Sequence, residues 1–255
     1  MATSCLEVRS VSRRFGGLQA LDACSFEVER QRSTCLVGPN GAGKTTVFNV
    51  ITGFVRPDQG TIRYNGEPIH GRPTRDIVRL GIARTFQNLR LFAEMTALEN
   101  VMVYLRDDDG TGPVEAILRP WRTGAALRRK EEAAQALLAE VGLGHKSGEV
   151  VRNLSFGQQK LLCIARVLAT GAELLLLDEP TSGLSQSALT AMVDLVDKLR
   201  SQGRTLLVVE HNTRVVQRIA DEILFLHQGR LIARGTPAEI LGDPALAAIY
   251  FGAAA

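Results

Sequence analysis

The sequence predicts an α/β fold with a parallel sheet, an antiparallel β portion and an inserted helical subdomain, and three observations carry that prediction. First, the runs Glu173 to Leu177 and Thr205 to Val209 are apolar almost throughout and end in polar pairs, Asp178-Glu179 and Glu210-His211, with an amphipathic stretch from Ser187 to Arg200 between them. Such strands are buried on both faces of a sheet, and strand, helix, strand at this spacing makes a right-handed crossover between parallel strands. Second, a glycine-rich turn, Gly38 to Thr46, joins the apolar run Thr34 to Val37 to a helix-compatible run from Thr45 to Ile51. Third, Cys24, Phe26 and Val28 alternate with polar positions as in a half-buried strand, whereas the stretch from about Asn88 to Ala169 has helical spacing.

In chain order, Leu6 to Arg9 and Cys24 to Glu29 read as strands, and Arg13-Arg14-Phe15-Gly16-Gly17 between them reads as a loop with one aromatic. After the helix from Thr45, Gly53 with Pro57, Asp58 and Gly60 supplies stop and turn chemistry, and Thr61 to Tyr64 before Asn65-Gly66 is a strand with a tight turn. Thr74 to Leu80 is a short helix ended by Gly81, and Ile82 to Phe86 is a strand leading to Gln87. Ala97 to Leu105 and Ala125 to Val141 are helical, and Gly142 and Gly144 close the longer one. Asp107-Asp108-Asp109-Gly110 with Thr111-Gly112-Pro113 reads as an exposed loop, since the spacing lacks the terminal Glu of a Ca²⁺-binding loop. A hairpin, Ile223 to His227 and Arg230 to Ala233 around Gln228-Gly229, is followed by short helices near Pro237 and Pro244. The predicted organisation is one domain over 1–255, with 1–87 and 170–255 as core and β portion, 88–169 as helical insertion and 234–255 as C-terminal helices.

The chain has 255 residues, 45% of them hydrophobic and 22% charged, which is the make-up of a globular protein with a substantial core. A net charge of +3 is too small to point to nucleic acid. The four cysteines, Cys5, Cys24, Cys35 and Cys163, show no C-x-x-C spacing and read as reduced core residues. No apolar leader is visible, and Arg166 and Glu173 interrupt the most apolar stretch short of the ~18 residues a membrane span needs, so the expected location is cytosolic or peripheral.

Gly38-Pro39-Asn40-Gly41-Ala42-Gly43-Lys44-Thr45-Thr46 fits G-x-x-x-x-G-K-[ST] at every fixed position, between a strand and a helix. Glycines let the backbone curl round a phosphate, so that consecutive N–H groups and a helix N-terminus face the anion. Lys44 is expected to reach the β- and γ-phosphates and the Thr45 hydroxyl to ligate Mg²⁺, the pattern of a P-loop NTPase. Phe15 is placed either to stack on a purine base or to anchor the core.

Further motifs narrow the class. Leu154-Ser155-Phe156-Gly157-Gln158-Gln159 precedes a helical run, Leu174 to Glu179 follows it as an apolar strand with two carboxylates, and Gln87 and His211 lie at strand ends. With these in order the sequence resembles the ATP-binding subunit of ABC transporters over nearly its whole length. The resemblance implies that Asp178 holds Mg²⁺ through its water shell, that Glu179 orients and deprotonates the attacking water, that Gln87 senses Mg²⁺ and that water, and that His211 contacts the γ-phosphate. Ser155 is by itself a good N-cap. In the family, Ser155, Gly157 and Gln158 would meet ATP held by an opposite subunit, which implies a dimer, homo- or heteromeric, with two composite sites. Phe48 to Phe54, Arg84-Thr85-Phe86-Gln87, Arg90-Leu91-Phe92 with Met95-Thr96, the insertion before Ala125 and Tyr250-Phe251-Gly252 are most similar to the ATP-binding proteins of branched-chain amino-acid uptake. ATPases of urea or short-amide uptake and of lipopolysaccharide export share parts of this pattern.

Three departures stand out. Ser185 occupies a loop position where the family commonly has Asp, so it can cap a helix but brings no charge to the coupling of two ATP sites. Phe15 replaces a common Tyr. The turn Arg30-Gln31-Arg32 lacks the usual Gly. The resemblance implies an ATP-driven importer motor at the cytoplasmic face of the membrane, bound to permeases and acting indirectly with a solute-binding protein. The Arg90-Leu91-Phe92 segment is its permease contact or part of its core. Rival readings are a repair or translation ATPase, which would carry coiled coils or a tandem domain, and a regulatory nucleotide-binding module.

Overall fold

The computed structural model describes residues 4–105 and 120–251. The acidic loop at Asp107 to Gly110, with most of the insertion before Ala125, lies outside them. Two compact units are built from interleaved segments: residues 1–87, 173–183 and 190–255 form the first, and 88–172 with 184–189 the second.

The first unit holds two sheets. One is antiparallel, in the order β2 (Leu18–Glu29), β1 (Ser4–Phe15), β4 (Gln59–Tyr64), β5 (Glu67–Pro68). The other runs β10 (Arg230–Gly235), β9 (Glu222–His227), β3 (Ser33–Val37), β8 (Thr205–Val209), β7 (Leu174–Asp178), β6 (Ile82–Arg84). In it β9, β3, β8, β7 and β6 are parallel and β10 pairs antiparallel with β9. Every residue of β3, β7 and β8 is buried, as continuous apolar strands require. Helices α1 (Lys44–Ile51) and α2 (Thr74–Leu80) follow β3 and β5 in the chain. Val47, Phe48 and Ile51 of α1 join Leu6, Phe26, Ile62, Tyr64, Leu174 and Leu207 in one apolar core.

The first strand differs from the sequence reading. Arg13 to Phe15 continue β1 rather than forming a loop, because Arg13, Arg14 and Phe15 pair with Leu21, Gln19 and Leu18. The register shifts between Val8 and Val11, where Ser10 takes φ 49, and both valines are buried three residues apart. Such a bulge breaks the two-residue alternation that marks a strand in sequence. The turn Arg30-Gln31-Arg32 now has a reason: Gln31 sits at φ 56, the region glycine prefers, and its N–H donates to Thr205 Oγ1 at 2.9 Å.

The second unit contains α3 (Ala97–Met102), α4 (Pro120–Glu140), α5 (Phe156–Ala169) and the first residues of α6 (Gln186–Ser201). Thr96 caps α3 through a reciprocal box with Glu99. Ala97, Val101, Ala134, Leu138 and Leu162 are buried. The chain closes in the first unit with α7 (Thr213–Ile219), α8 (Pro237–Gly242) and α9 (Pro244–Phe251). All four cysteines are free and buried, and burial pushes the Cys24 thiol up to about 12 and those of Cys5 and Cys163 to about 11. Among the described residues no helix is long and apolar enough to cross a membrane.

Candidate active site

Because β3, β6, β7 and β8 are parallel, their carboxyl ends lie along one edge of the sheet, and each feeds a segment singled out in the sequence. β3 runs into the glycine-rich loop. Gly38, at φ 151, brings its backbone so close to β9 that a Cβ there would lie 2.0 Å from the Leu226 carbonyl oxygen. Gly43 occupies the N-cap of α1 in a left-handed conformation, and no side chain caps the helix. Its leading N–H groups and the positive end of its dipole are therefore open to an anion. Lys44 is buried and donates from Nζ to the carbonyls of Gly38 at 2.7 Å and Pro39 at 3.0 Å. Burial holds its ammonium below the ordinary lysine range, and the carboxylates of Glu179 and Asp178 act in the opposite direction. Thr45 and Asn40 are exposed at the loop.

β7 delivers the two carboxylates into different surroundings. Asp178 is buried, and its Oδ2 accepts from Arg84 Nη2 at 2.6 Å. Its N–H donates to Thr85 Oγ1 at 3.0 Å, and Oδ1 is buried without a hydrogen-bond partner among the described residues. Arg84 also donates to Asn49 Oδ1 on α1 at 2.7 Å and lies over the rings of Phe48 and Phe86, 5.2 Å from each centroid. One guanidinium thus ties the helix after the glycine-rich loop to the end of β7. Glu179 is partly exposed and holds φ 47, a conformation that costs a non-glycine residue about 1–3 kcal/mol. Its N–H donates to Val209 O at 3.0 Å and its carbonyl accepts from Ser182 N at 3.2 Å, which fixes the turn on the end of β8.

β8 is followed by the buried Glu210 and the exposed His211. The His211 N–H donates to Glu210 Oε2 at 3.2 Å, and its carbonyl accepts from the Tyr250 hydroxyl of α9 at 2.5 Å. β6 stops at Arg84 instead of Phe86: Thr85 still donates its N–H to Leu176 O, but Phe86 turns out to pack edge-on against Phe54, 5.4 Å away. Gln87 follows as an exposed residue. Phe15, at the end of β1, is 42% exposed with the Arg13 guanidinium 4.8 Å from its ring centroid.

The first unit therefore contains Phe15, the loop from Gly38 to Thr46, Gln87, Asp178, Glu179 and His211, whereas Ser155, Gly157 and Gln158 belong to the second. There Ser155 heads α5 in a capping box: its hydroxyl accepts from Gln158 N at 3.3 Å, and its N–H donates to Gln158 Oε1 at 2.9 Å. A Cβ at Gly157 would lie 2.8 Å from Ala188 Cβ on α6. Ser185 opens α6 by accepting from Leu189 N at 2.8 Å, and its hydroxyl is 3.4 Å from that of Ser187.

Arg84, Asn49, Glu210 and Tyr250 were given no role in the sequence reading. A signal existed for the first, since a charge inside an apolar strand needs a buried partner.

Comparison with known proteins agrees with this architecture. Residues 21–182 match the family model described as ABC transporter. The high-affinity branched-chain amino acid transport ATP-binding protein BraF of Pseudomonas aeruginosa is 40% identical over 255 residues, covering all of both chains. The corresponding LivG protein of Escherichia coli is 38% identical over 255 residues, again covering both chains fully. Among solved structures, an ATP-binding cassette of an ABC transporter in its ADP conformation superposes with TM-score 0.83 at 29% identity, covering 98% of this chain and 99% of that one. A nucleotide-free ATP-binding cassette gives TM-score 0.82 at 30% identity, covering 98% and 100%. On this evidence of sequence and fold together, the chain belongs to the ABC transporter family, as one of its nucleotide-binding ATP-binding cassettes.

Proposed function

We propose that this chain is the ATP-hydrolysing motor of an importer for branched-chain or other hydrophobic amino acids. The observation that carries the catalytic part is the row of parallel strand ends that presents Lys44, Asp178, Glu179 and His211 along one sheet edge. The loop Gly38 to Thr46 and the uncapped N-terminus of α1 bind the phosphates, and Lys44 exchanges its two loop carbonyls for phosphate oxygens. Phe15 stacks on the adenine. Glu179 accepts the proton of the attacking water as general base, and His211 contacts the γ-phosphate. Thr45, Asp178 and Gln87 would hold Mg²⁺, which offsets the charge on the phosphates. The buried Oδ1 of Asp178, which has no hydrogen-bond partner among the described residues, fits such a hard cation. Ser155, Gly157 and Gln158 act on ATP held by a second such subunit, so the working form is a dimer.

The cargo class rests on full-length similarity to the two uptake proteins. Permease subunits bring the chain to the cytoplasmic face of the membrane, and a solute-binding protein delivers the cargo. The permease contact is assigned to Arg90-Leu91-Phe92, where Phe92 is 45% exposed and Arg166 lies 5.4 Å from its ring centroid while donating to Arg90 O at 2.9 Å.

Glu179→Gln tests the chemistry. ATP binding is expected to persist while turnover of the assembled complex falls by about 10²–10⁴-fold, the usual weight of a general base. Undiminished turnover would remove Glu179 from that role. For the cargo, the permease co-purified from membranes is expected to give ATPase stimulation by leucine-loaded binding protein, and stimulation by urea instead would reassign it.

A further inference from the structure

Glu210 is fully buried at the carboxyl end of β8, and its Oε1 accepts from both the N–H and the hydroxyl of Thr181, at 3.0 and 2.6 Å. Its Oε2 accepts from His211 N. A buried carboxylate is costly unless donors surround it, and an apolar residue would continue β8 without that cost. All three donors come from two places only: the turn two residues after Glu179, and the peptide of His211. We propose that Glu210 is a positioning residue of the ATPase site, its two oxygens locking the turn that carries Glu179 and the loop that carries His211 to one rigid point.

The lock on His211 has two sides. Glu210 holds its N–H, and Tyr250 from α9 holds its carbonyl at 2.5 Å, so the His211 peptide is fixed at both ends while its side chain stays exposed. The turn after β7 is likewise held twice, by Val209 O on the Glu179 N–H and by Glu210 on Thr181. Glutamate is the residue type this geometry demands. A glutamine could present its single oxygen to Thr181 but would then turn an NH₂ donor toward the His211 N–H, leaving the first tie and breaking the second. The proposal rests on the reading of Glu179 and His211 as catalytic residues.

Glu210→Gln tests it through a split that a merely structural role would not give. In the full chain, amide hydrogen exchange at His211 is expected to speed up about tenfold while that at Thr181 is unchanged; in the assembled complex, kcat should fall about tenfold with KM for ATP within twofold, each the loss of one charge-assisted hydrogen bond. Tyr250→Phe, which removes only the carbonyl tie, should lower kcat by a smaller factor and also spare Thr181. Faster exchange at both sites, a raised KM with unaltered kcat, or no change in either measurement would overturn the proposal. His211→Ala, assayed in parallel, separates two failures. Wild-type turnover in that variant would overturn the role of His211 and the lock with it, whereas crippled turnover there beside full activity in Glu210→Gln would overturn the lock alone.

Discussion

Two helices begin at motifs whose sequence points toward phosphate, and their N-termini are built in opposite ways. α1 opens on Gly43 with no side-chain cap, so its leading N–H groups have no side-chain acceptor. α5 opens on Ser155 inside a capping box with Gln158, which satisfies donors at that end within the helix itself. The first end leaves its leading donors to whatever anion meets it, whereas the second already has the Ser155 and Gln158 N–H groups satisfied by its own side chains. The N-terminus of α1 is thus left without a side-chain cap, and Ser155 must carry a structural duty together with any duty toward nucleotide.

The largest effect should come from the end that lacks its cap. Lys44→Ala removes a cation whose hydrogen bonds, among the described residues, go to the Gly38 and Pro39 carbonyls of its own loop. A hydrogen bond to a charged group contributes about 1.5–3 kcal/mol, so titration calorimetry on the isolated chain should show ATP affinity lower by about 10- to 100-fold. Unchanged affinity would mean that the backbone N–H groups of α1 bind the phosphates unaided. Next in size is Gly157→Ala, at the capped end. The added Cβ meets Ala188 at 2.8 Å, and such overpacking costs about 1–3 kcal/mol in denaturant unfolding, with ATP affinity of the isolated chain unaltered. Full stability in that variant would show that α5 and the start of α6 separate readily at this point.

The contrast between the two ends was half visible in the sequence. Gly38 to Thr46 announces its role because glycine, lysine and threonine occur in a fixed register between strand and helix. The parallel strands were legible for a related reason: Leu174 to Leu177 and Leu206 to Val209 are buried on both faces, and burial on both faces leaves no polar position inside the run. β1 is less legible because its bulge at Ser10 destroys the alternation, so that from sequence alone Phe15 reads as loop. Ser155 before an apolar run reads as a cap, whereas the reciprocal bond from its N–H to the Gln158 side chain appears only in the structure. What sequence order could not show is partnership across distance. Arg84 meets Asp178 and Glu210 meets Thr181 only after crossovers place their strands side by side, 94 and 29 residues apart along the chain.

Smaller changes at α5 separate cap from ligand. Ser155→Ala should cost about 1 kcal/mol of stability through the lost cap, and Ser155→Asp should restore it because Asp caps as well as Ser. The new carboxylate would repel phosphate, so in the assembled complex Ser155→Asp should turn over more slowly than wild type at full stability; equal turnover would leave Ser155 with a cap's duty alone. Gln158→Ala should have the smallest effect of all. The Ser155 hydroxyl keeps its bond to the backbone N–H of residue 158, and the exposed Ser155 N–H exchanges a glutamine oxygen for water. A net loss of about 0.5 kcal/mol follows, since the group set free is solvated and not buried. If the assembled complex keeps its turnover in Gln158→Ala while Ser155→Asp loses it, Gln158 serves the helix and Ser155 serves both helix and nucleotide. A turnover loss in Gln158→Ala larger than that in Ser155→Ala would instead place the Gln158 amide on the nucleotide.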